Sequence, residues 1–228
     1  MKSKIFYSGL LLATLLGGCS KDTEQTASPD STVATRSATE ESLEIRTPPT
    51  SPRPAISPAK EDLSAYICRK DCFTTGPLEA KSEAEAAWMV KHKYPTQIEI
   101  DRLGAMSLSE LEHEYKAGNP TAAVVLGKKI SLERNFFEGQ AILRDQTMSG
   151  NTYAFYAMSD SYLEKSQPNL VEGIAFLRIA YLLGDYKAAR EIGNLGLTSV
   201  EVAAGDARAL RLLSLFAAGQ QPDPRPEE

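Results

Sequence analysis

The sequence predicts an all-α fold of stacked helical hairpins, a short α-solenoid, on three observations. Asn135-Phe-Phe-Glu-Gly-Gln-Ala-Ile-Leu-Arg144 and Asn169-Leu-Val-Glu-Gly-Ile-Ala-Phe-Leu-Arg178 are identical at six of ten positions, at an offset of 34 residues. Each block runs on to a glycine, Gly150 and Gly184, again 34 apart. Of the 13 prolines only Pro77, Pro95, Pro120 and Pro168 fall within 61–220, where alanine and leucine become frequent. Self-similarity at this period marks an array of helical pairs, none of which buries its apolar stripe alone.

The chain opens with an address. Lys2 and Lys4 precede a largely apolar run, Ile5 to Leu16. That run has the length of a secretory h-region and is too short for a spanning helix, which needs about 20 residues. Leu16-Gly17-Gly18-Cys19 resembles the lipobox of bacterial lipoproteins. The resemblance implies a signal peptide over 1–18, lipidation (a palmitate-type anchor) at Cys19, and attachment to the membrane without spanning it. Each buried acyl methylene contributes roughly 0.8 kcal/mol, and several chains on one cysteine hold firmly. In such lipoproteins Asp after the cysteine favours the inner membrane. Ser20 stands here, which favours the outer membrane, facing the periplasm.

Residues 19–60 are rich in Ser, Thr, Pro, Glu and Asp and have no apolar period. Such composition cannot offset its ordering entropy, so it reads as a disordered tether. A flexible chain of that length reaches about 35 Å. Residues 61–104 read as an N-terminal helical capping region, with a helix over Leu78–Tyr94 stopped near Pro95. Cys68 and Cys72 close a small loop. In an oxidising compartment the pair reads first as a disulfide, with metal or redox chemistry and free thiols as alternatives.

The repeats occupy 105–220. Ser107–Ala117 reads as the second helix of a degenerate first unit. Asn135 and Asn169 are placed as N-caps, with Glu138 and Glu172 three residues on, as a capping box requires. Leu170, Ile174, Leu177 and Tyr181 recur at helical spacing. Gly150 and Gly184 end the helices, and Asn151 or Asp185 caps the next one. Gly139 and Gly173 inside helices point to close helix–helix approach. Thr198-Ser-Val-Glu201 opens a last helix with Ala203, Ala207, Leu210 and Leu213 as its stripe. Gly205-Asp-Ala-Arg-Ala209 repeats the turn motif but lies inside that helix. The proline-rich 221–228 reads as a disordered tail.

Over 105–217 the pattern resembles the Sel1-like repeats, relatives of the tetratricopeptide repeats. The carriers are Ala122…Leu126-Gly127, Asn135…Ala141…Leu143…Gly150 and the 169–188 copy. Tyr162 is kept, but the usual nearby glycine is replaced by Ser-Asp-Ser. The resemblance implies a concave face that binds peptides or proteins. Counted from each inter-repeat glycine, that face would carry Lys128, Tyr153, Tyr156, Asp160, Arg190 and Asn194.

A net charge of −5 argues against non-specific nucleic-acid binding. His92 and His113 are read as surface residues, and no His pair has zinc-ligand spacing. No glycine loop suits a phosphate, and no Ser–His–acid set can be proposed from spacing. No metal, cofactor or small-molecule substrate is expected. The expected role is a non-catalytic, membrane-anchored periplasmic scaffold for an envelope protein or peptide. The alternatives are an envelope hydrolase of the Sel1-like secreted type and a lipid or lipoprotein carrier.

Overall fold

In a computed structural model, residues 62–69 and 76–227 are described, all within one unit of the chain. The expected signal peptide, Cys19, the tether and Cys72 lie outside them. Cys68 is disulfide-bonded.

Among the described residues the fold is all-helical. A 3₁₀ turn, Leu63–Ala65, precedes α1 (Glu83–Lys91), α2 (Gln97–Gly104), α3 (Leu108–Lys116), α4 (Pro120–Glu133), α5 (Phe136–Met148), α6 (Ala154–Leu163), α7 (Leu170–Leu182), α8 (Tyr186–Asn194) and α9 (Ser199–Phe216). Among the described residues an isolated parallel bridge joins Ile67 with Ala80.

Local chemistry sets most boundaries. Asn135 and Asn169 accept from the N–H groups of Glu138 and Glu172, as their spacing requires. Each such cap contributes about 1 kcal/mol. The reciprocal half of these two boxes is absent. Glu138 pairs instead with Arg134 and Glu172 with Arg208. Complete boxes form at Ser107/Glu110 and Thr198/Glu201. Asp185 caps α8, whereas Asn151 caps nothing: α6 starts three residues later at a position without a side-chain cap.

The first helix is shorter than expected. Ser82 caps it, so Leu78–Lys81 stays outside, and Ala80 instead exchanges backbone hydrogen bonds with Tyr66 and Cys68. Lys93, at φ +59°, ends the helix region before Pro95.

Pairs α4/α5 and α6/α7 pack closely, α4 touches α6, and α9 lies along α7. The inner glycines explain the closeness. A Cβ on Gly139 would stand 2.2 Å from Ser131 Oγ and 2.3 Å from the Gly127 carbonyl oxygen. The main core gathers Trp88, Met89, Phe155, Met158, Ile174, Phe176 and Ile179. A smaller one joins Leu103, Leu111, Leu126 and Ile130.

Three long-range features depart from the sequence expectations. The stripe of α9 is out of phase: Leu210 is 66% exposed, and the buried face is Gly205, Ala209 and Leu212. Gly205 decides this phase, because only a residue without a Cβ admits Ile174 there. The N-terminal region is not a single cap either. α2 sits on α4, while the segment Gly76–Tyr94 reaches back to the turns at 152 and 185. Finally, the expected disordered tail is docked, with Arg225 buried.

Candidate functional site

Two acidic, aromatic-lined places stand out, and the turn motif after Gly184 builds the first. Gly184, at φ +120°, lets the tail run alongside it; a Cβ there would lie 2.1 Å from the Asp223 carbonyl oxygen. The Asp223 N–H donates to the Leu183 carbonyl and the Arg225 N–H to the Gly184 carbonyl, both at 2.9 Å. The Trp88 indole N–H donates to the Asp223 carbonyl at 2.8 Å.

This clasp delivers Arg225 into a socket. Nε donates to Glu85 at 2.7 Å, and Nη1 to Asp185 at 3.2 Å and to the Pro77 carbonyl at 3.0 Å. Nη2 reaches the Glu79 carbonyl and Met89 Sδ. All five guanidinium donors are thus used. The guanidinium also lies 5.4 Å from the Trp88 ring centre and 5.5 Å from that of Tyr94. Lys187 Nζ completes the network on Glu85 at 3.0 Å. Two buried carboxylates therefore face two buried cations.

Burial pushes Glu85 up. The Lys81 N–H, the Lys187 hydrogen bond and the charges of Arg225 and Lys187 outweigh it and hold the carboxyl below its ordinary value. Burial and repulsion from Arg225 lower Lys187. Tyr94 and Tyr156 both donate to Asp185 Oδ2, at 2.5 and 2.6 Å. Burial first, then the Asp185 charge, raises both phenols well above their usual value.

His92 belongs to the clasp and is not a surface residue. It stacks on Trp88, its Nε2 lies 2.8 Å from Asp223 Oδ2, and its Nδ1 lies 3.3 Å from Thr152 Oγ1. An acid–imidazole–hydroxyl order can activate a nucleophile. Thr152 is only 2% exposed, so here the line fastens the tail.

The second place is a groove along α4, α6 and α8. Tyr153 and Asp160 line two adjoining recesses. One, of about 340 Å³, adds Ile100, Val124, Lys128 and Ala157. The other, of about 240 Å³, adds Pro77, Tyr156, Ser159 and Glu191. Lys128 Nζ bridges Asp160 at 2.7 Å and Glu164 at 2.9 Å. Burial, above all, raises Asp160 despite Lys128. Burial and then the Asp160 charge raise Glu191.

Of the six residues assigned to this face, Lys128, Tyr153, Tyr156 and Asp160 meet along the groove. Arg190 and Asn194 are exposed on α8 and line neither recess. Tyr156 is a correction: it is 5% exposed and its hydroxyl is committed to Asp185. The N-terminal segment covers this end of the face. Lys187, at an equivalent first-helix position, is buried for the same reason. Sequence reasoning missed Glu85, Ser159, Glu191 and Arg225. Only Asp185 left a signal, as a cap.

Among the described residues no group of three or more metal-capable side chains occurs, and no helix is long and apolar enough to cross a membrane. Comparison with family models, with curated proteins and with solved structures gives no match.

Proposed function

We propose that the protein is a lipid-anchored scaffold of the bacterial cell envelope, held through Cys19 with its helices in the periplasm. It is a short α-solenoid of the Sel1-like, tetratricopeptide-related kind. Its role is to bind a protein or peptide partner along the groove of α4, α6 and α8, without catalysis. The lipobox-like Leu16–Cys19 supports the anchor. The matching blocks at 135 and 169, with their paired caps, support the repeat class.

The observation that carries the binding role is the groove itself. Tyr153 and Asp160 line both of two adjoining recesses, and Lys128 of the preceding first helix lines one of them, with apolar walls and a few converging polar groups. Concave recesses of this make-up seat ligand groups, here a side chain of the partner.

The test has two arms. Labelled palmitate should enter the wild type and not Cys19→Ala, and the label should sediment with outer membranes. A photo-crosslinker at Leu132, on the groove rim, should trap one discrete partner in intact cells. The same probe at Phe137, which is 82% exposed but away from the groove, should not. Identical products from both positions would remove the binding role.

A further inference from the structure

We propose that the α6–α8 recess is a socket for an arginine side chain of the partner, its guanidinium held between Asp160 and Glu191 beside the rings of Tyr153 and Tyr156. This deepens the groove-binding role and rests on it.

Four observations converge. The recess encloses about 240 Å³, on the order of eight waters at about 30 Å³ each. That is room for one long side chain and not for a helix. It brings two carboxylates into one lining, and Glu191 has no ion pair among the described residues, whereas Asp160 is shared with Lys128. Each of these carboxyls is raised, first by burial, and Glu191 further by Asp160, so an arriving cation relieves an existing cost. Ser159 lines the same recess, is fully buried, and its hydroxyl has no hydrogen-bond partner among the described residues. A buried hydroxyl left in that condition is costly, and a ligand donor would satisfy it.

The choice of guanidinium over ammonium follows from shape. Tyr153 and Tyr156 stack with ring centres 5.8 Å apart and planes at 22°. A planar, weakly hydrated cation lies well along such rings, and a fork of five donors suits two carboxylates and a hydroxyl. The molecule itself shows the solution. Arg225 sits between Glu85 and Asp185 with Trp88 and Tyr94 at its faces. An acidic chain of −5 also steers a basic partner.

The experiment titrates the isotope-labelled full chain with N-acetyl-arginine amide and follows backbone amide resonances. Saturable shifts at Tyr153, Ser159 and Glu191, in about the millimolar range, are expected for one anchoring side chain. N-acetyl-citrulline amide, of the same shape but neutral, should bind at least tenfold more weakly. Glu191→Gln should weaken the arginine probe at least tenfold while leaving the spectrum of the unliganded chain otherwise intact. Trp88 is the sole tryptophan, and its indole resonance reports the Arg225 socket. It should not move. No saturation, equal binding of the citrulline probe, an unaffected Glu191→Gln, or shifts confined to Trp88 would each overturn the socket. A groove crosslink in cells with no arginine response removes the socket alone. An arginine response with no partner trapped removes the scaffold role and leaves the socket standing.

Discussion

The clasp around Arg225 and the groove around Asp160 are made from the same parts and do opposite things. Both set two carboxylates beside aromatic rings. At the clasp the charges close on themselves: Glu85 and Asp185 meet Arg225 and Lys187, and every guanidinium donor is used. At the groove they do not, since Lys128 is divided between Asp160 and Glu164, and Glu191 forms no ion pair among the described residues, the charge of Arg190 lowering it less than burial and Asp160 raise it. The carboxyls follow the contrast: opposing cations and donors hold Glu85 low, while burial first of all pushes Asp160 and Glu191 up. A satisfied network locks a fold, whereas an unsatisfied one is a standing cost that a binding site retains.

The largest test of this contrast is Arg225→Ala. It leaves Lys187 as the one cation described beside Glu85 and Asp185 in the clasp, and breaking a buried pair from one side costs about 3–5 kcal/mol. Urea unfolding should show that loss. A change below about 1 kcal/mol would mean that the clasp is no different from a surface pair.

Gly184→Ala comes next. It strains a left-handed backbone and strikes the Asp223 carbonyl, for a loss of about 1–3 kcal/mol. The Trp88 fluorescence should shift as its hydrogen bond to Asp223 is released.

Acidity separates the two regions by sign. A lowered carboxyl such as Glu85 contributes stability that is present above its ordinary value of 4.5 and lost as pH falls through its folded value. The raised Asp160 and Glu191 work the other way: their contribution is present at low pH and lost as pH rises through their folded values. Urea midpoints from about pH 3 to 7 should therefore show a shallower acid slope for Glu85→Gln. Asp160→Asn with Glu191→Gln should raise the midpoint at neutral pH. Matching slopes in both variants would erase the distinction.

The smallest effect is expected from Lys128→Ala. This pair is partly solvated, so the stability change should stay within about 1 kcal/mol. Groove crosslinking should respond more than stability does.

What was legible in the sequence was local. Asn135, Asn169 and the glycines at 150 and 184 announce their roles because a cap or a left-handed turn is decided within a few residues. Of the three boxes expected, those at 135 and 169 failed, since Arg134, four residues away, and Arg208, 36 residues away, outcompete the backbone for Glu138 and Glu172. The phase of α9 was misread because leucine at 210 outweighs glycine at 205 in any count of apolar residues, although the missing Cβ is what lets the helices meet. Tyr156 was misplaced, and Arg225 overlooked, because the partners that cover them come from far away. Arg225 lies 140 positions from Glu85 and 40 from Asp185. No period or motif encodes such a meeting.

That separation has a consequence for how the chain matures. A polypeptide emerging from its N-terminal end has already laid down Glu85, Asp185 and Lys187 before Arg225 is available, so its interior carries an excess negative charge until the last strap is threaded. A product stopped at Gln221 would stay open to proteases that spare the finished molecule, a difference that limited trypsin digestion reads directly.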